Sequence, residues 1–236
     1  MKPHKENILR PDSPYPVDIF IQDNLKNHVC VEPHWHDCIE ILYILEGRAD
    51  QQVNDKYFMV GRHDIVILNE GDIHSTFCKK GDDVRILVIK FLPDIISNNL
   101  PRAFESKYIM AFLSYNSHPV CHIVDASKNS NRIHSLMTGL YEEFEKKENG
   151  YEIFIKGYIY QLIAILIRTD IIKVQPALNS EKDFLRLDRL FKYIESHYNE
   201  PIDLKEAAHM LNLSYSYFSR YFKRFTGKTF KEYIDF

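Results

Sequence analysis

The hydrophobic pattern of this chain changes period at Pro93, which restricts the fold to a β-rich part followed by a helical part. Before Pro93, short runs rich in Ile, Val, Phe and Tyr alternate with turn residues, as in consecutive strands. No helical pattern separates these runs, so a barrel or sandwich is favoured over a parallel α/β sheet. The turn residues Asn54-Asp55 predict a tight hairpin. The predicted strands are Val17–Ile21, Cys38–Leu45, Gln51–Val53, Lys56–Val60, Asp64–Leu68 and Val84–Phe91.

Beyond Pro93 the apolar residues recur at helical spacing. A stripe over Ile133–Phe144 predicts an amphipathic helix, ended by Asn149-Gly150. The next helix, over about Tyr151–Thr169, is apolar nearly all round, so it must be covered on more than one side. Either the rest of the monomer or a second copy of the chain could cover its second face. We expect a homodimer through this helix, which Glu at Ile159 or Ile163 would dissociate.

The carboxy-terminal region predicts a helix, a short turn and a second helix. Asp203 with Glu206 forms a capping-box pattern, and Ser214 is positioned to cap the second helix after the turn Asn212-Leu213. Gly227 is at the C-cap position, where the second helix is predicted to end. The predicted buried residues are Leu204, Ala207, Ala208 and Leu211 on the first helix and Phe218, Tyr221, Phe222 and Phe225 on the second. Small alanines at the contact suit a steep crossing of two helices.

The outer face of the second helix is basic. Residues 214–231 contain five Lys or Arg and no acid, in a chain whose net charge is −3. A basic run is often only a solvated helix face, but this one lies where a recognition helix enters the major groove. The arginine suits guanine, the serines allow close approach to bases, and the tyrosine and lysines suit phosphates. The expected DNA-binding residues are Ser216, Tyr217, Ser219, Arg220, Lys223, Lys228 and Lys231.

Residues 214–233, SYSYFSRYFKRFTGKTFKEY, resemble the first helix-turn-helix of AraC-type transcription regulators. The resemblance covers about Leu187–Phe236, and the barrel with its helix pair is similar to the sensor half of that family. It implies a second helix-turn-helix, joined by a long helix that would start near Phe230. The sequence stops at Phe236, so this resemblance implies either a fragment or a protein that binds DNA with half the usual surface.

A second motif in the barrel region resembles the signatures of cupin barrels. His34-Trp35-His36, Glu40 and Gly47 match the first signature, and His74 matches the histidine of the second, in which Asn69 replaces the usual proline. On one continuous strand the even positions share a face, so the two histidines and the carboxylate would point the same way. The resemblance puts that face inside the barrel, opposite His74.

Three histidines and a carboxylate admit three interpretations. They are ligands for Fe, Mn, Ni or Zn, so a divalent metal is a candidate cofactor. The same pocket could instead bind a small polar effector, such as a sugar-like molecule, or the cluster could be structural. The residues concerned are His34, His36, Glu40 and His74.

Two functions compete for this chain. A ligand-responsive transcription regulator needs a sensor barrel, a dimerisation segment and a DNA-binding end. A metal-dependent cupin enzyme, an oxygenase or isomerase, needs only the barrel and leaves the residues after 181 unexplained, so the regulator is favoured and no enzyme is expected. The predicted fold is mixed, all-β then all-α. Its parts are a cupin-like double-stranded β-helix (a jelly-roll barrel) at 1–95, dimerisation helices at 96–173, a linker at 174–185 and the helix-turn-helix at 186–236.

The sequence predicts a cytoplasmic protein without a membrane segment. The amino terminus has no apolar core behind its charges, and the most apolar stretch, Tyr158–Ile167, is too short to span a bilayer. The cysteines form no CxxC pair, which predicts reduced thiols. They are Cys30, Cys38, Cys78 and Cys121.

Overall fold

The computed structural model describes residues 3–6, 15–23, 29–78, 83–97, 103–113, 115, 120–121, 129–174, 189–194, 196–197, 202–226 and 229–234. The chain divides into two compact units. The first comprises Met1–Ile96 with Asn116–Leu166, and the second Ser97–Tyr115 with Ile167–Phe236.

Two five-stranded sheets make up most of the first unit. The strands are β1 (His4–Lys5), β2 (Val17–Asp23), β3 (Val29–Trp35), β4 (Ile39–Glu46), β5 (Arg48–Val53), β6 (Lys56–Gly61), β7 (Ile65–Leu68), β8 (His74–Phe77), β9 (Arg85–Phe91) and β10 (Val120–Cys121). Their orders are β1-β3-β8-β5-β6 and β10-β7-β4-β9-β2. Among these pairs only β1 with β3 is parallel. The predicted cupin-like β domain followed by helices is confirmed.

The inner face of β4 shows how the core positions the polar cluster. Leu42 and Ile44 point into an apolar cluster that also contains Val66 and Val88. Glu40 has the same parity on this strand, so it lies on the same inner face, at the other end. The space between the sheets is therefore apolar at one end of β4 and polar at the end that carries the carboxylate.

The two predicted helices of the first unit are present as α3 (Asn129–Lys146) and α4 (Tyr151–Arg168). A short helix, α1 (Asp94–Ser97), follows β9. The apolar stripe of α3 is buried, from Ile133 to Phe144. On α4 the two positions predicted to lie in a dimer interface are wrong. Ile159 and Ile163 are only 1% and 2% exposed in the single chain, so they are already covered within it. The most exposed apolar side chains of α4, Ile153 and Phe154, lie instead at its start, and Tyr160 is exposed to a lesser extent.

The second unit contains α2 (Ala103–Leu113), the helical residues 189–194 (α5), α6 (Leu204–Met210), α7 (Tyr215–Thr226) and α8 (Phe230–Ile234). Helices α6 and α7 are the predicted helix-turn-helix. Their apolar residues join those of α5 and α8 in one core. This core contains Leu190, Ala207, Ala208, Leu211, Phe218, Phe222 and Phe230.

Local hydrogen bonds explain where these helices begin. Asp203 accepts from the Lys205 amide, as predicted, but the Glu206 carboxylate accepts from the Tyr193 hydroxyl at 3.0 Å. At α7, Ser214 Oγ accepts from the Tyr217 amide at 3.4 Å. The turn between the helices needs one left-handed residue, and Asn212 supplies it at φ 52°.

Some predictions lie outside the described residues or are wrong. Residues 175–188, most of the predicted linker, and Gly227 are outside them. Cys78 is disulfide-bonded, so the prediction of reduced thiols is wrong for this residue, because sequence spacing does not show which cysteines meet in space. Cys38 is a buried free thiol. Among the described residues, no helix combines the length and apolarity needed to cross a membrane.

Candidate functional site

The four predicted pocket residues come from two sheets and the corner between them. His34 is near the end of β3, His36 lies in the corner, Glu40 is on β4, and His74 begins β8 in register with His34. The prediction of one continuous strand is wrong, because β3 ends at Trp35 and β4 begins in the other sheet. All four side chains are nevertheless buried and face one point.

Each imidazole of this cluster is oriented by a backbone carbonyl. The Nδ1 atoms of His34 and His74 donate to the carbonyls of Glu32 and Asp72, both at 2.9 Å. That of His36 donates to the Cys38 carbonyl at 3.2 Å. Since a carbonyl only accepts, each of these bonds places a hydrogen on Nδ1 and directs Nε2 into the cluster.

The inward atoms converge on one carboxylate oxygen. Glu40 Oε2 lies 2.5 Å from His36 Nε2 and 3.2 Å from His74 Nε2. All four ligand atoms, including His34 Nε2, lie within 4.8 Å of one another. Within the described part of the chain, His74 Nε2 is buried without a hydrogen-bond partner. Burial raises the pKa of Glu40, but the two imidazoles and Lys90 lower it further and keep it well below its usual range.

Two charged residues that the sequence analysis missed border the cluster. Lys90, directly opposite Glu40 in the β4/β9 pair, lies with its Nζ 3.6 Å from Glu40 Oε2. Its Nζ donates to Glu6 Oε2 at 2.7 Å. Burial lowers the pKa of Lys90, yet the two carboxylates outweigh burial and leave it raised. The sequence did carry a signal for Lys90, because it is a charged residue within the otherwise apolar run of β9.

The donor set fits a divalent transition metal. Three imidazoles and one carboxylate are the ligands that Fe, Mn, Ni and Zn accept, and ring nitrogens fixed by carbonyl bonds are the usual outer support of such ligands. A bound metal would replace any proton shared between His36 and Glu40. It would also give His74 Nε2 the partner that this nitrogen lacks.

The predicted DNA-binding residues form an exposed face on α7. Ser216, Tyr217, Arg220 and Lys223 are exposed, and Ser219 is half-buried. Lys231, on α8, is exposed as well, while Lys228 lies outside the described residues. Tyr215, which the sequence analysis did not single out, is 54% exposed at the start of α7.

A sensor-type β domain with a buried polar cluster, joined in one chain to a helix-turn-helix with a basic face, defines a class of DNA-binding regulators. The comparisons with known families agree with this class. Residues 17–163 match the AraC-like ligand binding domain, and residues 194–235 match the bacterial regulatory helix-turn-helix proteins of the AraC family. The chain belongs to the AraC family, with a ligand-binding domain and a DNA-binding helix-turn-helix.

The individual proteins that this chain is similar to share only low sequence identity with it. The uncharacterized HTH-type transcriptional regulator YdeC of Bacillus subtilis (strain 168) is 26% identical over 224 residues, which cover 91% of this chain and 72% of YdeC. The polyketide cyclase RemF of Streptomyces resistomycificus is 23% identical at a TM-score of 0.31, over 34% of this chain and 58% of RemF. The AraC-like transcriptional activator CuxR is 12% identical at a TM-score of 0.39, over 84% of this chain and 65% of CuxR.

Proposed function

We propose that this protein is a ligand-responsive transcription regulator whose sensory site is a divalent metal held by His34, His36, Glu40 and His74. The observation that carries the proposal is the set of three Nδ1–carbonyl bonds, which turns three Nε2 atoms toward one carboxylate oxygen. The bound metal would supply positive charge and an open position for an effector atom. Purified full chain should therefore contain about one Mn, Fe, Ni or Zn ion per chain, and binding of none of them would contradict the proposal.

The site acts through binding and not through turnover in this proposal. A ligand can change DNA affinity only by binding two conformations of the protein unequally, so the sensory site and the DNA-binding face must be linked. The chain has a dedicated DNA-binding element, which a cupin enzyme would not need. A regulator that reads DNA works where the DNA is, and we place the protein in the cytoplasm.

We expect Arg220 and Lys223 to contribute differently to DNA binding. Arg220→Ala should weaken binding to a duplex selected by the protein from random sequence by about 1–3 kcal/mol, with little effect on random DNA, because Arg220 reads a base. Lys223→Ala should weaken binding to both DNAs and lower the salt dependence, because Lys223 contacts phosphate. Titrations of both duplexes at two salt concentrations measure this. Equal losses on both DNAs for both variants would remove Arg220 as a base-reading residue.

We propose a homodimer through the start of α4. Ile153 and Phe154 are 77% and 57% exposed there, whereas six other apolar residues of the same helix are buried: Ile155, Ile159, Leu162, Ile163, Ile165 and Leu166. Ile153→Glu should turn a dimer into a monomer, because a charged carboxylate would be buried at the contact. Sedimentation velocity measures the change. Tyr57→Glu, at an equally exposed apolar position on β6, should leave the dimer intact. A dimer that survives Ile153→Glu would place the interface elsewhere.

A further inference from the structure

The segment His4–Glu6 lies beside the polar cluster, along the end of β3 that carries His34. Strand β1 pairs with β3 in parallel, with His4 opposite His34. The Glu6 amide donates to the Trp35 carbonyl at 2.9 Å. Lys5 adds an ion pair with Asp37, and its Nζ lies 4.9 Å above the centre of the Trp35 ring. These contacts position the Glu6 side chain next to the cluster.

The carboxylate of Glu6 occupies a buried cationic site. Its Oε2 accepts from Lys90 Nζ at 2.7 Å and lies 3.3 Å from His34 Nε2. The side chains of Lys90 and His34 are 6% and 5% exposed, whereas that of Glu6 is 39% exposed. Lys90 and His34 are therefore buried in the interior, whereas the Glu6 carboxylate that contacts them is partly exposed.

Among Glu6, Lys90 and His34, Glu6 is the group whose place a ligand can take. Lys90 and His34 are fixed on β9 and β3, which pair with neighbours along their length, whereas Glu6 follows a strand of two residues. Glu40 cannot satisfy Lys90 alone, because its Oε2 already faces His36 at 2.5 Å and is 3.6 Å from the ammonium. A buried ammonium without a close anion is strongly disfavoured, so the site retains a carboxylate in the absence of a ligand.

We infer that the effector of this protein carries a carboxylate, which binds Lys90 beside His34 in the position that Glu6 occupies. Glu6 is then a built-in competitor for the effector. The inference rests on the proposed function only in assigning this subsite to the sensory pocket. It replaces the sugar-like effector that the sequence analysis suggested with an organic acid.

Chemical replacement of the Glu6 carboxylate tests the subsite. Full chain with Glu6→Ala, stripped of metal and desalted, is titrated with sodium acetate and separately with neutral acetamide, with sodium chloride holding the ionic strength constant. We expect acetate to raise the thermal unfolding midpoint of Glu6→Ala saturably, with a half-saturating concentration at least 10-fold below that of the unaltered chain. Acetamide should have no such effect. The control is Glu46→Ala, which removes an exposed acid 3.2 Å from Arg85 and should not create acetate binding.

A second variant locates the bound acetate. Glu6→Ala with Lys90→Met should lose the acetate effect, whereas Glu6→Ala with Lys90→Arg, which retains a cation, should keep it. The inference is overturned if acetate and chloride act equally on Glu6→Ala, if the unaltered chain responds at the same concentration, or if the Lys90→Met variant still responds. Line broadening of trifluoroacetate in ¹⁹F NMR gives the same comparison without unfolding. Since neither DNA nor metal is present, failure of the proposed regulatory function would not change these results.

Discussion

His36→Ala should lower metal affinity more than about 100-fold and abolish the transcriptional response to the effector. Loss of an outer partner of a metal ligand alone costs about 10–100-fold, and this change removes a ligand itself. His36 has no exposed surface, and its Nε2 lies 2.5 Å from Glu40 Oε2. Metal titration of the purified variant measures the affinity, and a reporter gene measures the response.

The control for this change is His209→Ala, which removes an exposed histidine of α6. It should leave metal affinity unchanged. The DNA affinity of His36→Ala without metal should stay near that of the metal-stripped unaltered protein, because the site acts only through what it binds. A His36→Ala variant that keeps its metal would show that the ion is held elsewhere. Turnover of a small molecule that is lost in His36→Ala would instead make the protein a cupin enzyme.

Gly47→Ala should cost about 4 kcal/mol of folding stability, which is at the upper end for single substitutions. Gly47 connects β4 to β5 at φ +81°, and a Cβ there would lie 2.1 Å from the Asp83 backbone oxygen. A left-handed backbone alone costs alanine about 1–2 kcal/mol. The rest comes from displacing the backbone before β9, since a carbonyl cannot rotate away as a flexible side chain can. Chemical denaturation monitored by circular dichroism measures the loss.

Gly150→Ala separates the two contributions. Gly150 has φ +90°, but a Cβ there would meet nothing within 4 Å. Its replacement should therefore cost only the backbone contribution of about 1–2 kcal/mol. Equal losses at the two glycines would contradict the close approach of Asp83 to Gly47.

Strands and helices with strong apolar patterns were predictable from the sequence. The runs that became β2, β4, β7 and β9 and the stripes of α3 and α4 are nearly as predicted, because their apolar residues repeat at a clear period. Strand β3 contains Glu32, Pro33 and His34, and β8 begins with His74-Ser75-Thr76, so neither has a strong apolar alternation. Strand β8 pairs with both β3 and β5, and these pairings hold the two segments extended.

The candidate site was predictable only in part. The cupin resemblance brought His34, His36, Glu40 and His74 together correctly, although the single-strand geometry assumed for three of them was wrong. The partner Glu6 was not predictable, since its place in the site depends on β1 pairing with β3. Pairing of a two-residue strand with a distant one leaves no periodic signal in a sequence.

The affinity of this protein for its own DNA, measured with the cluster filled and empty, tests the account most directly. The dissociation constant for a duplex selected from random sequence is determined at one salt concentration, because salt alone changes such affinities by orders of magnitude. The proteins are the metal-loaded chain, the metal-stripped chain and His36→Ala. We predict a difference of about 5–150-fold between the loaded and stripped chains, the usual range of coupling between sites, and no response of His36→Ala to metal. Equal dissociation constants for all three would contradict the account, because the buried cluster would then have no link to the DNA-binding face.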